Sequence, residues 1–461
     1  MSITIAKTVS SGSFTPADGK QISGLPSFCQ IAAVLKPTPD SEIHTEVWLP
    51  SSNWNGKYLA VGSGGWGGSI PYSAMADALR RGYATSATDD GHKGPSASFV
   101  MGHPEKLVDF AYRAEHETAV EAKALIKAFY GREPRYAYWD GCSGGGREGL
   151  LQAYRYPEEF DGIIAGDPAN VRRNAWALWL ANETFKDPED YIPPSKYPMI
   201  HRAVLNACDA KDGLKDGLIS DPESCMVDFK VLTCKQGDAS DCLTPRQVHS
   251  AQMMISPATD SSGKVQFPRL EPGTELRWAR LAGGPAPADL FLDQFRYVVY
   301  QDPNWDWKTF DLKRDATKAN AIDKDVDDFN PNLAAFAKRG GKLLLYHGWA
   351  DQQVAPGSTV DFYQEAAKMS GDPASASEWM RLFMIPGMGH CSGGEGPDSF
   401  DKIHVMEQWV EQGKTPTRIV ASHHSEGKVD RTRPLCPYPQ IARYNGSGSI
   451  DDAANFTCSA K

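Results

Sequence analysis

One serine flanked by small residues constrains this chain more than any other feature. Residues 141–145 read Gly-Cys-Ser-Gly-Gly, after an apolar segment at 136–139 and before a helical pattern at 147–154. A serine between a strand and a helix sits in a strained turn that lifts its hydroxyl clear of the sheet. Larger neighbours would clash with the strand and the helix. The segment therefore predicts a nucleophile elbow at Ser143.

Both ends of the chain alternate short apolar strands with helical patterns. We expect strands at 45–49, 57–61, 83–87, 136–139, 162–165, 342–346 and 381–385, and helices at 105–129, 147–154 and 404–411. This alternation predicts a mostly parallel, doubly wound sheet with helices on both faces. Together with the elbow it indicates an α/β fold with an α/β-hydrolase core.

The middle of the chain has a different character. Residues 171–335 are rich in Trp, Pro, Asp and Cys and lose the strand–helix rhythm. The length of 461 residues also exceeds what one compact core usually holds. We therefore expect residues 1–170 and 336–461 to form the catalytic core, and residues 171–335 to be a large inserted lid domain.

An acid and a base follow the serine in the order that an α/β-hydrolase requires. Asp351 stands in a Gly-x-x-Asp turn just after the strand at 342–346, and His390 lies on a glycine-rich loop after the strand at 381–385. A serine needs such a base to become a nucleophile. The chain order predicts Ser143, Asp351 and His390 as a catalytic triad. A surface or capping role for His390 is the alternative, because eleven histidines are present.

Two glycine segments are candidates for an oxyanion hole. The amide of Gly144 lies at the start of the helix after the serine, where it can donate to a developing oxyanion. The glycine-rich loop at 62–68 follows the strand at 57–61, so Gly64 and Gly65 are candidates for the second donor. A flexible turn is the alternative for this loop.

Cysteines directly flank two of the triad residues. If Ser143 and His390 form a hydrogen bond, Cys142 and Cys391 come close enough for a disulfide. This bond would close a loop of 249 positions (391 − 142) and restrain the serine–histidine geometry. Two buried free thiols are the alternative.

An acidic loop predicts a metal site within the lid. Asp209, Asp212 and Asp216 stand within eight residues, together with two glycines. Hard oxygen ligands on a tight loop favour Ca²⁺, and the carbonyls of Leu214 and Leu218 can complete the coordination. A solvated acidic turn is the alternative.

Charge and cysteine content limit the partners and the compartment. The net charge of −10 does not favour binding to nucleic acid or to an anionic membrane. No apolar run reaches the roughly 18–20 residues that span a bilayer. Nine cysteines favour an oxidising compartment, although the N-terminus has no signal peptide. We expect a secreted or periplasmic protein whose leader was replaced by Met1; a cytosolic protein with reduced cysteines is the alternative.

Three motifs carry a family resemblance. Gly-Cys-Ser-Gly-Gly-Gly-Arg at 141–147, Tyr-His-Gly-Trp-Ala-Asp at 346–351 and Gly-Met-Gly-His-Cys at 387–391 resemble the tannase/feruloyl esterase family. Trp-Asn-Gly-Lys at 54–57, Asp-Asp-Gly-His at 89–92 and the acidic loop extend the resemblance along nearly the whole chain.

The resemblance implies a disulfide next to the triad and a structural Ca²⁺ in the lid. The ion would be held by the side chains of the three aspartates and the carbonyls of Leu214 and Leu218. The implied disulfides are Cys142–Cys391, Cys208–Cys225, Cys234–Cys242 and Cys436–Cys458. The family counterpart of Cys29 pairs with a cysteine further upstream, so we expect the natural precursor to extend beyond Met1 and to supply it.

The same resemblance implies hydrolysis of small aromatic esters of the hydroxycinnamate type. Gallate esters and terephthalate monoesters are alternatives within the family, and Gly144 leaves no side chain after the serine to set this choice. A catalytically inactive hydrolase fold that binds ligands with Ca²⁺ is the alternative of another class. Candidates for substrate contact, with core packing as their alternative role, are Arg277, Trp278, Phe291, Phe295 and Arg296.

Overall fold

A nine-stranded sheet organises the computed structural model, which describes residues 1–259, 262–279, 284, 286–322, 324–326, 329–371 and 373–461. The order of strands across this sheet is β1-β4-β5-β7-β6-β8-β9-β12-β13. The strands in chain order are β1 (Ser2–Val9), β2 (Gly12–Phe14), β3 (Ile22–Leu25), β4 (Phe28–Leu35), β5 (Ile43–Pro50), β6 (Lys57–Val61), β7 (Ala84–Thr88), β8 (Tyr136–Cys142), β9 (Gly162–Gly166), β10 (Ala258–Thr259), β11 (Val265–Phe267), β12 (Lys342–Gly348), β13 (Met380–Ile385), β14 (Ile419–Ser425), β15 (Lys428–Leu435), β16 (Ile441–Tyr444) and β17 (Phe456–Ser459).

Helices cover both faces of this sheet. One face packs against α3, α4 and α11, and the other packs against α1 and α13. The α-helices are α1 (Tyr72–Arg80), α2 (Pro104–Val108), α3 (Ala114–Tyr130), α4 (Gly144–Arg155), α5 (Arg172–Thr184), α6 (Tyr197–Cys208), α7 (Pro245–Met254), α8 (Asp289–Asp293), α9 (Leu312–Ile322), α10 (Ala334–Lys338), α11 (Gly357–Met369), α12 (Pro373–Ala376) and α13 (Lys402–Gln412).

The helix expected at 105–129 is divided in the structure. It consists of α2, a π-helical turn at Asp109–Arg113 and α3. Within the described residues, no helix combines the length and the apolar character that a bilayer crossing needs.

Side chains alternate between two apolar cores along the central strands. On β6, Tyr58 and Ala60 belong to one core, whereas Leu59 and Val61 belong to the other. All four are buried, as is typical of a parallel strand with helices on both sides. Strands β7, β6, β8, β9, β12 and β13 are parallel to one another, and β1, β4 and β5 add three antiparallel pairs at one edge. The predicted α/β class with a mostly parallel, doubly wound sheet is confirmed.

The parallel register brings three chain segments to one edge of the sheet. Strands β8 and β12 flank β9, and β13 lies beside β12. Each of β8, β12 and β13 is followed within five residues by Ser143, Asp351 or His390. The carboxyl ends of parallel strands meet at the same edge, where α/β proteins carry their sites.

The described part of residues 171–335 has an apolar core of its own. Trp176, Phe229 and Trp278 are fully buried there, and the disulfides Cys208–Cys225 and Cys234–Cys242 close two of its loops. In the part of the chain that the structure describes, all nine strands of the large sheet lie outside this segment. The division into a core and an inserted lid domain stays a prediction.

Both ends of the chain contain strands that the sequence pattern did not predict. β1 is exposed along nearly its whole length and buries neither of its faces. Near the C-terminus β14 pairs with β15, and β16 pairs with β17. β15 carries four charged residues in eight, and the disulfide Cys436–Cys458 connects its end to β17.

The disulfide pattern predicts a simple thiol count. Eight cysteines are paired, and Cys29 on β4 is free. Denatured, unreduced protein should therefore react with one equivalent of a thiol reagent, and reduced protein with nine. In native protein the reaction should be slow, because burial raises the pKa of the Cys29 thiol. A second rapidly titrating thiol in the unreduced, denatured chain would contradict this pairing.

Candidate active site

Ser143 occupies a strained turn between β8 and α4. Its backbone has φ +62° and ψ −118°, which is rare for a residue with a side chain. Small neighbours are required: a Cβ at Gly141 would lie 2.4 Å from the carbonyl oxygen of Gly145. The Ser143 amide donates to the Gly166 carbonyl over 2.9 Å, which ties the turn to β9. The predicted elbow geometry is thus present.

The structure brings Ser143, His390 and Asp351 together in one hydrogen-bonded chain. His390 Nε2 lies 2.8 Å from Ser143 Oγ, and His390 Nδ1 lies 2.7 Å from Asp351 Oδ2. An ionised carboxylate can only accept, so Nδ1 carries the proton and Nε2 is left to accept from the serine. This is the protonation state that a general base requires.

Asp351 is fully buried and is nevertheless held as a carboxylate. Burial alone would raise the pKa of Asp351, but the facing His390 and the hydrogen bonds from His347 and His390 hold that pKa well below its ordinary value. Its Oδ1 also accepts the amides of Gln353 at 2.7 Å and Val354 at 3.0 Å. Asp351 is therefore held in one orientation and in its ionised form.

A disulfide joins the nucleophile elbow to the histidine loop. Cys142 and Cys391 are bonded with their Cα atoms 5.9 Å apart, across 249 positions of sequence. Because one cysteine precedes Ser143 and the other follows His390, the bond limits how far the hydroxyl and the imidazole can separate. The other three cysteine pairs implied by the family resemblance are also bonded in the structure.

Asp167, which the sequence reasoning missed, fastens two loops of the site. It follows β9 with φ +37°, and it is fully buried. Its Oδ1 accepts the Gly348 amide over 2.9 Å, and its Oδ2 accepts the Cys391 amide over 2.8 Å. One carboxylate therefore positions both the end of the acid-bearing strand and the residue after the base. Its place after a central strand was the available signal.

His347 is a second buried imidazole beneath the triad. Its Nε2 lies 3.1 Å from Asp351 Oδ2, 3.1 Å from the Val354 carbonyl and 3.4 Å from Asp167 Oδ1. Burial alone would lower the pKa of His347, but the two aspartates raise it. All three neighbours of Nε2 accept, so this nitrogen carries a proton. His347 therefore separates two buried carboxylates that would otherwise repel each other.

The glycine loop after β6 lies beside the start of α4. A Cβ at Gly144 would lie 3.3 Å from the Gly64 Cα atom and 3.4 Å from the Gly65 nitrogen. The Gly145 amide donates to the Ser63 carbonyl over 2.7 Å. As the first residue of α4, Gly144 has an amide without an intrahelical acceptor. The backbone of Gly144 and the backbone of Gly64 and Gly65 thus lie side by side next to the serine.

The five residues expected to contact substrate occupy different environments. Trp278 and Phe291 are buried in the apolar core of the 171–335 segment, and Phe295 is buried in a second apolar cluster there. Arg296 pairs with Asp289 at 3.0 Å. These four side chains thus contribute to packing and ion pairing within the segment.

Arg277 lies closer to the triad. Its Nε is 3.4 Å from the position of a Cβ at Gly389, next to His390, and its Nη1 pairs with Glu395 at 3.1 Å. Leu290, which the sequence reasoning missed, lies 3.6 Å from a Cβ position at Gly65. The Leu290 carbonyl also accepts the Trp66 indole N–H over 2.9 Å. These contacts bring the segment against both sides of the site.

The acidic loop folds around its own backbone amides. Asp209 accepts the amides of Asp216 and Gly217 at 3.1 Å each, and Asp212 accepts that of Leu214 at 2.9 Å. Burial raises the pKa of Asp212, and the nearby Asp216 and Asp209 raise it further. Arg433 pairs with Asp216 at 2.6 Å. The carboxylates of Asp209 and Asp216 thus lie near that of Asp212 on this short loop.

Sequences similar to this chain include several proteins named as esterases. The model of a family described as tannase and feruloyl esterase matches residues 29–459. An uncharacterized esterase of Xanthomonas campestris is 37% identical over 99% of this chain and 88% of its own length. A probable feruloyl esterase B-1 of Aspergillus flavus is 34% identical over 93% of this chain and 86% of its own length.

Solved structures share the whole fold. Feruloyl esterase B from Aspergillus oryzae matches with a TM-score of 0.95 at 32% identity, over 99% of this chain and 96% of that chain. Tannin acyl hydrolase from Aspergillus niger matches with a TM-score of 0.81 at 23% identity, over 100% of this chain and 91% of that chain. At that identity the second match shows a common fold.

Asp167 offers a test of loop positioning at the site. Asp167→Ala frees the amides of Gly348 and Cys391, so the histidine loop loses its anchor. We expect a fluorophosphonate probe to label Ser143 about 10²-fold more slowly, the loss typical of a misplacement near 1 Å. The matched control is Asp161→Ala at the opposite end of β9, where Asp161 accepts the Ala137 amide. Equal labelling rates in the two variants would contradict this role.

Proposed function

This chain belongs to the tannase and feruloyl esterase family and is a carboxylic ester hydrolase, and from that premise we propose that it cleaves hydroxycinnamate-type esters through an acyl-enzyme on Ser143. One observation carries the mechanism. The hydrogen-bonded chain from Asp351 through His390 to Ser143 ends next to the amides of Gly144 and Gly65. A hydroxyl with a base on one side and amide donors on the other is suited to acyl transfer.

Acylation begins when His390 Nε2 accepts the Ser143 proton as the serine oxygen attacks the ester carbonyl. The carbonyl oxygen becomes an oxyanion, which the amides of Gly144 and of Gly64 or Gly65 stabilise by hydrogen bonds. Asp351 faces the imidazolium that forms and stabilises its charge. The imidazolium then gives its proton to the departing alcohol, the carbon–oxygen ester bond breaks, and the acyl group remains on Ser143.

Deacylation repeats these steps with water as the nucleophile. His390 accepts a proton from water, and the hydroxide formed attacks the acyl carbonyl within the same amide donors. The tetrahedral intermediate collapses, and the proton returns to the Ser143 oxygen as the acid leaves. The residues involved are therefore the same in both half-reactions.

The choice of hydroxycinnamate-type esters rests on the relatives. Several proteins about 34% identical over more than nine tenths of this chain are named probable feruloyl esterase B. Arg277 beside the His390 loop is the candidate to pair with an anionic group on a substrate. Gallate esters and terephthalate monoesters use the same chemistry and are separated from this proposal by assay.

We also propose that the loop from Asp209 to Leu218 holds a structural Ca²⁺. The side chains of Asp209, Asp212 and Asp216 would supply charged ligands, and the carbonyls of Leu214 and Leu218 neutral ones. When bound, the ion neutralises three carboxylates near the disulfide Cys208–Cys225 and so stabilises the fold of this segment. The ester hydrolysis steps do not involve it.

Export to an oxidising compartment completes the proposal. Four disulfides persist where thiols are kept oxidised, as in secreted and periplasmic proteins. A small soluble ester, and neither nucleic acid nor a membrane, is the partner we expect, because the net charge of −10 repels polyanions.

Ser143→Ala tests the nucleophile and the substrate class together. We expect the variant to lose at least about 10³-fold in kcat, because the other triad members cannot form an acyl-enzyme without it. Wild-type protein, assayed with methyl ferulate, methyl gallate and a terephthalate monoester, should give its highest kcat/KM with methyl ferulate. A higher kcat/KM with another ester would reassign the substrate, and unchanged turnover in the variant would refute the mechanism.

Calcium removal tests the ion. Chelation should lower the melting temperature by several degrees, since a ligand at 100 times its Kd stabilises a fold by about 2.7 kcal/mol. Asp212→Asn should weaken this dependence by removing a charged ligand. The control is Asp228→Asn, at a capping position on the same segment where asparagine also caps. A melting temperature that changes neither with chelator nor with Asp212→Asn would exclude a structural ion in this loop.

A further inference from the structure

Three buried acids lie directly beneath the glycine loop, and the mechanism above leaves them without a role. Asp90 follows β7, Glu115 is on α3, and Glu148 is on α4. All three are at least 97% buried, and their carboxylate oxygens lie within 4.8 Å of one another. Isolated buried charges are costly, so such a cluster needs shared protons or a counter-charge.

Ser63 connects this cluster to the glycine loop. Its amide donates to Glu148 Oε2 over 2.9 Å, and its Oγ lies 2.7 Å from Glu148 Oε1. The same Oγ lies 2.6 Å from Asp90 Oδ2. The Ser63 carbonyl accepts the Gly145 amide over 2.7 Å. These hydrogen bonds therefore hold Ser63, the residue before Gly64, against α4, the helix that follows Ser143.

The proton count around Ser63 requires a neutral acid. A hydroxyl has one hydrogen, so it can donate to one of its two carboxyl neighbours. The other carboxyl must then carry a proton and donate to the Ser63 oxygen. Two ionised carboxylates at 2.6 Å and 2.7 Å from one hydroxyl would leave one contact repulsive.

Asp90 is the neutral member of this pair. Its Oδ1 is buried and has no hydrogen-bond partner among the described residues, which costs an ionised carboxylate more free energy than a neutral acid. Both Glu148 oxygens accept from Ser63, and Arg147 Nη2 approaches Glu148 at 3.6 Å. Burial raises the pKa of Asp90 well above its ordinary value, and the charge of Glu148 raises it further.

The loop backbone rests against Asp90. A Cβ at Gly67 would lie 2.1 Å from Asp90 Oδ2, so the backbone can approach this closely only without a side chain. Gly67 also donates its amide to the Gly64 carbonyl over 3.0 Å. The acids therefore contact the loop on both sides of Gly64 and Gly65.

We propose that Asp90, as a neutral carboxylic acid, and Glu148 are positioning residues that hold the oxyanion-hole amides of Gly64 and Gly65 through Ser63. The inference rests on the ester hydrolysis proposed above. The acids do not touch substrate. They fix the loop so that its amides face the position where negative charge develops, and this preorganisation acts on the transition state more than on substrate binding.

Loss of the Asp90 proton would weaken this arrangement as pH rises through the raised pKa of Asp90. The titratable groups that face Asp90 are Glu148 and Arg147 on α4, Glu115 on α3 and Asp89 beside it. Once ionised, Asp90 can no longer donate to Ser63 and repels Glu148. Since its pKa is raised in the folded state, the contribution to stability is present at low pH and is lost as pH rises through that pKa.

Asp90→Asn is the decisive variant. Its amide N–H can donate to Ser63 Oγ at every pH, as the carboxylic acid does at neutral pH. We expect kcat at pH 7 to remain within about threefold of wild type, and the alkaline decrease in kcat to shift to higher pH. A large fall in kcat at pH 7 would show that Asp90 acts as an ionised acceptor and would overturn the proposal.

Asp90→Ala and Ser63→Ala remove the link itself. Each should lower kcat about 10²-fold, the loss typical of an impaired oxyanion hole, with KM changed by less than about threefold. An arylboronic acid, which forms a tetrahedral anion on Ser143, should bind correspondingly less tightly. Wild-type kcat and boronate affinity in Asp90→Ala would refute the positioning role.

Glu115→Gln is the matched control. Glu115 shares the burial and the acid cluster, and burial raises its pKa well above the ordinary value, but none of its hydrogen bonds reach Ser63. It should leave kcat at pH 7 at the wild-type value; the same loss as in Asp90→Ala would mean that the cluster is merely structural. If wild-type protein hydrolyses no aromatic ester, the proposed function is wrong. If wild-type protein is active and Asp90→Ala matches it, only the positioning role is wrong.

Discussion

The strained backbone at Ser143 is the constraint on which the site depends, because it persists only if its surroundings hold it from several sides. The Ser143 amide is bound by the Gly166 carbonyl on β9, and its own carbonyl accepts the amides of Arg147 and Ala169. A disulfide at the preceding residue adds a covalent restraint. Each of these contacts comes from a different segment, so the turn is stable only when the sheet, α4 and the histidine loop are all assembled.

Buried acids in different protonation states also hold the loops of the site in place. Asp351 and Asp167 accept hydrogen bonds from two or more donors each, and the His347 imidazole stands between them. On the other side of the serine, Asp90 has a buried oxygen without a donor and is the neutral acid, whereas both oxygens of Glu148 accept from Ser63. Donors around a carboxyl favour its ionised form, and burial without donors favours its neutral form.

Sequence patterns predicted the parts of the fold that are set by local backbone sterics and by the order of the strands. The glycines around Ser143, and the order of Ser143, Asp351 and His390 after three apolar strands, follow from turn sterics and parallel topology. Asp167 and Glu148 were missed because their hydrogen-bond partners lie far away in the sequence. The assignment of Trp278 and Phe295 to substrate contact relied on aromatic content, which is the same in a pocket wall and in a packed core. β15 was missed because its four charged residues interrupt an apolar alternation.

The disulfide between Cys142 and Cys391 has a topological consequence for the chain that it encloses. It closes a ring of 249 positions that contains the whole segment 171–335. A protease that nicks any exposed loop inside this ring leaves the nucleophile and the base on one covalently connected molecule. Where proteases are present, the chain can therefore be cut once without separating the nucleophile from the base. Only a reductant, by breaking the disulfide, releases the two fragments from each other.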